Sequence, residues 1–390
     1  MLRDRIKYVD KLIVVPYFVL TLFSIMMVYS ASSYSALSDY GNPHHYLPRQ
    51  ATYVIIGYVI FFIAFIFPIK AMKHKRFVQV GTVVTALSLL VLLIFGREIY
   101  GARRWIETPF FNIQPAEFAK FMVIWYLAYI LSIKQKKIAE DFFKAIVAPM
   151  ILVSAIVLFI YIQPDTGSSF IIVLIGAIMI FASGVSPKLG FGFGAAGVSL
   201  LLGLSHLIRQ YGTRLFFLNE YRYNRFLGFW DPFTLAEGAG MQLVHSYYAL
   251  SRGGILGVGF GNSVQKTGFL PFPYTDFIVS IIGEEFGLVG IFILLLTFTI
   301  MVSRLFLTAV RAQHSFDSLL CIGIATMFMV QAFINLGGVI GIMPITGLTF
   351  PFVSYGGSSM IVLSASVGLV ANISARVNYN KAIKLYGKEE

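Results

Sequence analysis

Charge is scarce in this chain. Of its 390 residues 18 are acidic and 30 basic, and charged residues amount to 12% against 57% hydrophobic. So few charges cannot cover a soluble protein that must also bury 37 phenylalanines, which excludes an ordinary globular domain. Cysteine is nearly absent too. Cys321 stands alone in an apolar run, so a disulfide within the chain is excluded and the residue reads as small, buried and apolar. The six histidines are scattered, only His44 and His45 being adjacent, and none has ligand spacing to another; a bound transition metal is unsupported. No internal repeat, inverted or direct, is visible, which weakens a transporter reading.

What the chain does have is long apolar runs. They predict an all-α, polytopic membrane protein with ten spans, at 12–31, 51–67, 78–95, 116–133, 145–162, 168–183, 190–208, 277–302, 319–338 and 358–373. The first run is too long for a signal-peptide core, so it reads as an uncleaved span. The seventh is glycine-rich, which predicts close packing against a neighbouring helix. Between spans seven and eight, residues 209–275 form a large loop with no clean span and one short amphipathic piece at 241–250. The whole is expected to be a single domain, 1–390. Lysines gather at the N-terminus, at 70–76, at 134–144 and in the C-terminal tail, all on one side of a ten-span bundle; the positive-inside rule makes that side cytoplasmic, with both termini there. The net charge of +12 is therefore topological, and no nucleic acid is implied.

The loop facing outward ends on the stretch GILGVGFGNSVQKTGFLPFPYTDFIVSIIGEEFGLVG (254–290), where Asp276 sits at the start of the eighth span and Glu284 and Glu285 lie about two turns further in. Carboxylates at the lip of a span or inside it are costly and read as functional by default. Asp276 has a plainer alternative as a helix cap, and the two glutamates read as internal counter-ions for Lys120 or an arginine. The GVGFG run has no strand-helix context, so a dinucleotide loop is discarded. The outward side carries arginines rather than lysines: Arg97, Arg103 and Arg104 in one loop, Arg209, Arg214, Arg222, Arg225 and Arg252 in the other. Singly each is a headgroup contact; together with Trp105 and many tyrosines they look like a site for a phosphorylated group, which guanidinium forks bind bidentately. Glu117 and Lys120 share one helix face and can pair, either as structure or as part of a site, and Asp165 reads as a turn or cap residue. The residues alone leave chemistry or binding on an anionic lipid, without naming it.

Six segments, in order along the chain, resemble the SEDS family (shape, elongation, division and sporulation) of bacterial cell-wall polymerases: GARRWI (101–106), QPAEFAK (114–120), QPDTGSS (163–169), GVGFGNSVQK (257–266), LPFPYTDFIVSIIGEEFG (270–287) and GIMPITGLTFPFVSYGGSS (341–359). The GNSVQK and TGLTFPFVSYGGSS phrases are closer to the division branch (FtsW-type) than to the elongation branch (RodA-type). The chain departs from the family in having Tyr274 where His is common, and QPDTGSS for QPDLGT. The resemblance implies an inverting glycosyltransferase that polymerises lipid II at the outer face of the cytoplasmic membrane, for septal wall synthesis. It implies Asp276 as general base, with Arg103, Arg104 and Lys120 stabilising the departing pyrophosphate, and Trp105, Gln114, Glu117, Ser354, Gly356, Gly357 and Ser358 shaping the substrate site. It implies lipid II and the nascent strand as ligands, and a class B penicillin-binding protein and other division proteins as partners. A divalent cation (Mg or Mn) could assist the pyrophosphate, although no ligand cluster demands one.

Three other readings compete. A lipid II flippase would share the arginines and intramembrane charges but would need a polar path through the whole bundle; the unusual polar groups here concentrate in the outer half. An elongation-type polymerase differs only in branch. A non-catalytic scaffold would tolerate loss of Asp276.

Overall fold

The structure is a computed structural model that describes residues 6–96, 104–107, 112–185, 187–215, 218 and 220–386. Helix is what these apolar runs must form, because lipid offers no partner to a free N–H or C=O. The helices are α1 (Lys11–Tyr40), α2 (Tyr46–Ile66), α3 (Lys75–Phe95), α4 (Pro115–Glu140), α5 (Phe142–Ile162), α6 (Thr166–Ala182), α7 (Pro187–Tyr211), α8 (Glu220–Trp230), α9 (Met241–Gly253), α10 (Ile278–Arg311), α11 (Ser315–Val339) and α12 (Gly357–Tyr386). Among the described residues nine helices are long and apolar enough to cross a membrane, and the shorter α6, of 17 residues, is apolar as well. These are the ten expected spans. Their ends follow local chemistry: the Asp10 carboxylate accepts from Leu12 N at the start of α1, and Gly41 closes that helix with φ +67°, its N–H reaching Leu37 O.

The core lies around α4, α11 and α12, with α2 against α12 as the most extensive pairing. Glycines permit that approach: a Cβ on Gly368 would stand 2.4 Å from Phe61 O. At one end of the bundle the lysine-rich loops meet. Lys73 pairs with Asp317 at 2.8 Å, Arg304 with Asp10 at 2.7 Å, and Asn378 donates to Tyr8 O at 2.9 Å. The N- and C-terminal segments thus lie at the same end, as the span count requires.

Two sequence expectations need correction. Most glycines of α7 pack against nothing nearby: Gly192, Gly194, Gly197 and Gly203 have no atom within 4 Å of a built Cβ and Gly190 meets only the Phe181 ring, because α7 stands off the bundle with only 6% of its apolar window buried. Within the segment 209–275 lie two short helices, α8 and α9, the second covering the amphipathic piece. Arg222 holds α8 to α5, donating to Tyr161 O at 2.5 Å with its guanidinium 4.1 Å from the Tyr161 ring centre. Finally, the eighth span is not one continuous helix. Gly287 breaks α10 with φ 64° and ψ −163°, a conformation open to glycine alone.

That break is filled by the glycine-rich stretch. Val258 N and Gly259 N donate to Glu284 O and Glu285 O, each at 3.0 Å, while Leu288 N and Val289 N reach Gly254 O and Ile255 O at 2.9 and 3.1 Å. These four bonds let the inserted loop pair backbone groups that the break takes out of the helix. The adjoining side chains hold the same loop. Glu284 accepts from Arg252 (2.8 Å), Ser263 (2.5 Å) and Val264 N (2.9 Å), and Glu285 accepts from Lys266 and Ser30, both at 2.6 Å. The glutamates are counter-ions as expected, although Lys266 takes the part assigned to Lys120.

Candidate functional site

At the end opposite the lysine loops, the starts of α4, α6 and α12 converge on a cavity of about 500 Å³ that also receives the Asp276 segment. Helix starts carry unpaired N–H groups and partial positive charge, so three of them around one space favour an anionic ligand. The volume suits a small-molecule headgroup.

Asp276 lies on the cavity wall. It does not cap α10; the residue before that helix is Phe277, with no side-chain cap, and the Asp276 carboxylate is left for the cavity. Its backbone is anchored instead, Asp276 O accepting from Asn335 Nδ2 at 2.7 Å. Burial raises the carboxyl above its ordinary pKa, against the opposing pull of Arg225, the Thr275 hydroxyl and Arg104. Arg225 is close: a Cβ built on Gly347 would stand 3.4 Å from both Arg225 Nη2 and Asp276 Oδ2. The Arg225 guanidinium is itself aimed by Ile345 O, 2.7 Å from Nη1.

Around this acid the structure gathers Arg104, Trp105, Gln114, Glu117, Gly356, Gly357 and Ser358, all expected from the sequence and all lining the cavity. Arg104 donates to Pro164 O, while its buried Nε has no partner among the described residues. The buried Glu117 Oε2 likewise has none, its other oxygen being held by Lys120 at 2.8 Å. A donor and an acceptor left open at one cavity are what a polar ligand would satisfy. Ser358 Oγ accepts from Gln114 N (2.9 Å) and donates to Asn112 O (3.0 Å), tying α12 to the segment before α4. Asp165 does cap α6 through Ser168 N, but its second oxygen accepts from Gln114 Nε2 at 3.2 Å and the residue faces the cavity.

Two expected site residues lie elsewhere. Lys120 is fully enclosed behind Glu117, its ammonium held by Glu117 and by Gln331 Oε1 at 2.9 Å, so it orients Glu117 and does not line the cavity. Ser354 is buried in the turn before α12, where its Oγ accepts from Phe350 N at 2.8 Å; it serves the loop's fold. Arg103 and Arg97 lie outside the described residues. The wider ring of arginines resolves into separate tasks: Arg209 stacks over Trp230, Arg222 holds Tyr161, Arg252 pairs with Glu284, and Arg104 and Arg225 flank Asp276.

Sequence reasoning missed Arg49 and the tyrosines Tyr40, Tyr46, Tyr53 and Tyr355, all at the cavity. Arg49 could have been found as the one arginine between the first two spans, at the end away from the lysines. Among the described residues no group of three or more His, Cys, Asp or Glu side chains could hold a metal. Glu117, Asp165 and Asp276 share the cavity without forming one, so no step is routed through a divalent cation.

Known proteins resemble this chain along nearly its whole length. The chain is 39% identical over 382 residues to "Probable peptidoglycan glycosyltransferase FtsW" of Bacillus subtilis (strain 168), covering 98% of this chain and 94% of that one. It is 36% identical to the protein of the same description from Lactococcus lactis subsp. lactis, over 95% and 94% of the two chains. Among solved structures, it matches a chain from work on the structural coordination of polymerization and crosslinking by a peptidoglycan synthase complex, at TM-score 0.76 and 26% identity, over 95% and 98%. The rod shape determining protein RodA of Thermus thermophilus matches at TM-score 0.66 and 25% identity, over 94% and 96%. The family model FTSW_RODA_SPOVE, described as "Cell cycle protein", covers residues 10–379, and the chain belongs to that family.

Proposed function

We propose that this chain is a peptidoglycan glycosyltransferase, a multi-pass protein of the bacterial cytoplasmic membrane that polymerises lipid II for the division septum. The observation that carries the reading is Asp276, a partly desolvated carboxylate set between Arg225 and Arg104 on the wall of a headgroup-sized cavity. The FtsW description of its relatives supports the division branch.

The acceptor sugar hydroxyl attacks the anomeric carbon of the growing strand. Its proton passes to an Asp276 carboxylate oxygen as the new glycosidic C–O bond forms. The bond from the anomeric carbon to the pyrophosphate oxygen breaks, and undecaprenyl pyrophosphate leaves with the electron pair. One displacement inverts the centre, and one base suffices because pyrophosphate leaves without strong acid assistance. A raised pKa makes Asp276 a better proton acceptor than an ordinary carboxylate once ionised. Arg104 and the helix starts meet the charge that builds on the leaving group. Arg103, in the same GARRWI segment, joins them in this proposal.

The cavity faces the side away from the lysine loops, which the positive-inside rule makes the outer face. Below it the path closes: the Lys120–Gln331 pair is followed by Ile124, Leu127 and Met327, all fully buried. That apolar packing counts against a flippase route through the bundle. A class B penicillin-binding protein that crosslinks the new strand is the proposed partner. The test is polymerisation of purified lipid II by the chain with that partner. Long strands are expected; active partner and good substrate with no strands would overturn the reading in favour of lipid transport.

A further inference from the structure

The polymerase reading leaves one side of the cavity without a task. Tyr40, Tyr46, Tyr53, Tyr274 and Tyr355 all line it, from the end of α1, the first turns of α2, the Asp276 segment and the loop before α12. They form one connected cluster. Ring centres lie 4.6 Å apart for Tyr46 and Tyr274, 5.1 Å for Tyr46 and Tyr355, and 5.8 Å for both Tyr53–Tyr355 and Tyr274–Tyr355. Tyr274 OH donates to Tyr46 OH at 3.1 Å, and Tyr355 N donates to Tyr274 O at 2.9 Å. The second bond fixes the backbone two residues before Asp276, so the wall and the acid are held as one piece.

Such a wall could meet a lipid chain, an anion or a sugar, and its composition discriminates. Among the described lining residues Leu348 is the only aliphatic side chain, whereas an isoprenyl chain needs an aliphatic groove. Of the side chains that meet an anion, Arg104 and Arg225 are at Asp276, while Arg49, also on the cavity wall, is hydrogen-bonded to the Tyr355 phenol, and the phenols themselves add no positive charge. A pyranose is what remains: its C–H faces pack on aromatic rings while its hydroxyls exchange hydrogen bonds with phenols, which present an apolar body and a polar tip. Burial and the neighbouring Tyr53 push the Tyr355 phenol well above its ordinary pKa, so it stays neutral, a donor as well as an acceptor at any working pH.

We infer that the Tyr46–Tyr53–Tyr274–Tyr355 wall is a saccharide subsite that seats a sugar ring of lipid II beside Asp276, so that affinity for the glycan portion is carried by this wall and affinity for the pyrophosphate by the arginines. Tyr274, which replaces the histidine common in the family, belongs to the wall through its ring and hydroxyl. The inference rests on the polymerase reading and assigns parts of its substrate to parts of its cavity.

The test compares two ligands on the chain with its partner in the membrane: lipid II as substrate, and undecaprenyl pyrophosphate, which has no sugar, as competitive inhibitor. Tyr53→Leu and Tyr355→Leu remove a ring; Tyr355→Phe keeps the ring and removes one hydroxyl, so it decides the matter if the leucine variants fold poorly. The leucine variants are expected to raise KM for lipid II about tenfold and Tyr355→Phe about threefold, with kcat changed less and the inhibition constant of undecaprenyl pyrophosphate unchanged. If the inhibition constant rises in step with KM, the wall does not select for sugar and the inference fails. If neither constant moves in folded variants, the wall touches no substrate and it fails likewise. A wild-type chain that makes no strands would instead remove the polymerase reading itself, an outcome these ratios do not resemble.

Discussion

Asp276 is placed by backbone and tuned by charge, and the two can be separated. Its position comes from Asn335 on the Asp276 carbonyl; its acidity is set by burial against Arg225 and Arg104. A base works only when ionised, so with a raised pKa activity should climb with pH through a midpoint above the ordinary carboxylate value and fall away below it. Removing Arg225 withdraws a charge that favours the ionised form. In Arg225→Gln the acid limb of the kcat/KM profile should therefore move to higher pH; a limb that stays or moves down contradicts the assignment. Gly347 supplies a second check. It sits at φ +76°, and a Cβ there would come within contact of both Asp276 and Arg225. Gly347→Ala should lower kcat by about tenfold or more through misplacement of that pair while the protein still folds, measured as strand synthesis at saturating lipid II. Asp276 was legible in the sequence because an acid at a span's lip is anomalous; Arg49 and the tyrosines were not, because single aromatics beside spans are ordinary interfacial residues.

At the scale of elements, the Asp276 approach depends on a broken helix and the loop packed into its break. Gly287 cannot take a side chain: its Cβ would lie 2.3 Å from Ile255 O and 2.5 Å from Gly257 N, on backbone that cannot yield. Gly287→Ala should cost about 3 kcal/mol or more, seen as a lower melting temperature and poor yield of monodisperse protein in detergent. The Lys266–Glu285 pair tests the same unit electrostatically. Lys266→Met alone strands a buried carboxylate and should cost about 3–5 kcal/mol, whereas Lys266→Met with Glu285→Leu should recover most of that, by thermal melting of both variants. The sequence showed the glycines and both glutamates but not the break, since the apolar pattern runs straight through Gly287. Helical periodicity cannot reveal a kink whose backbone groups are satisfied by a loop more than twenty residues earlier. α8 was hidden for a related reason: Arg222 on Tyr161 and Arg225 on Ile345 O hold it to distant parts of the chain, and such contacts leave no mark in its own short sequence.

For the whole molecule, composition and charge placement were enough to read ten spans and an all-α bundle, because lipid permits so few alternatives. They could not show how far α7 stands from the rest, since a lipid-facing helix and a packed one are equally apolar. Orientation remains a proposal with a simple check. With the buried Cys321 replaced by serine, a single cysteine at Gly261 should react with an impermeant maleimide added to intact cells, and one at Lys384 only after lysis; the reverse pattern would turn the cavity inward and end the outer-face account. The central claim is tested most directly by strand synthesis from lipid II with the partner present, comparing wild type with Asp276→Asn, which keeps the size and removes the base. The account predicts long strands from the wild type and a rate lower by about 10²–10⁴-fold in the variant, with partner binding and lipid II affinity retained. Equal rates from the two proteins would show that Asp276 is not the base.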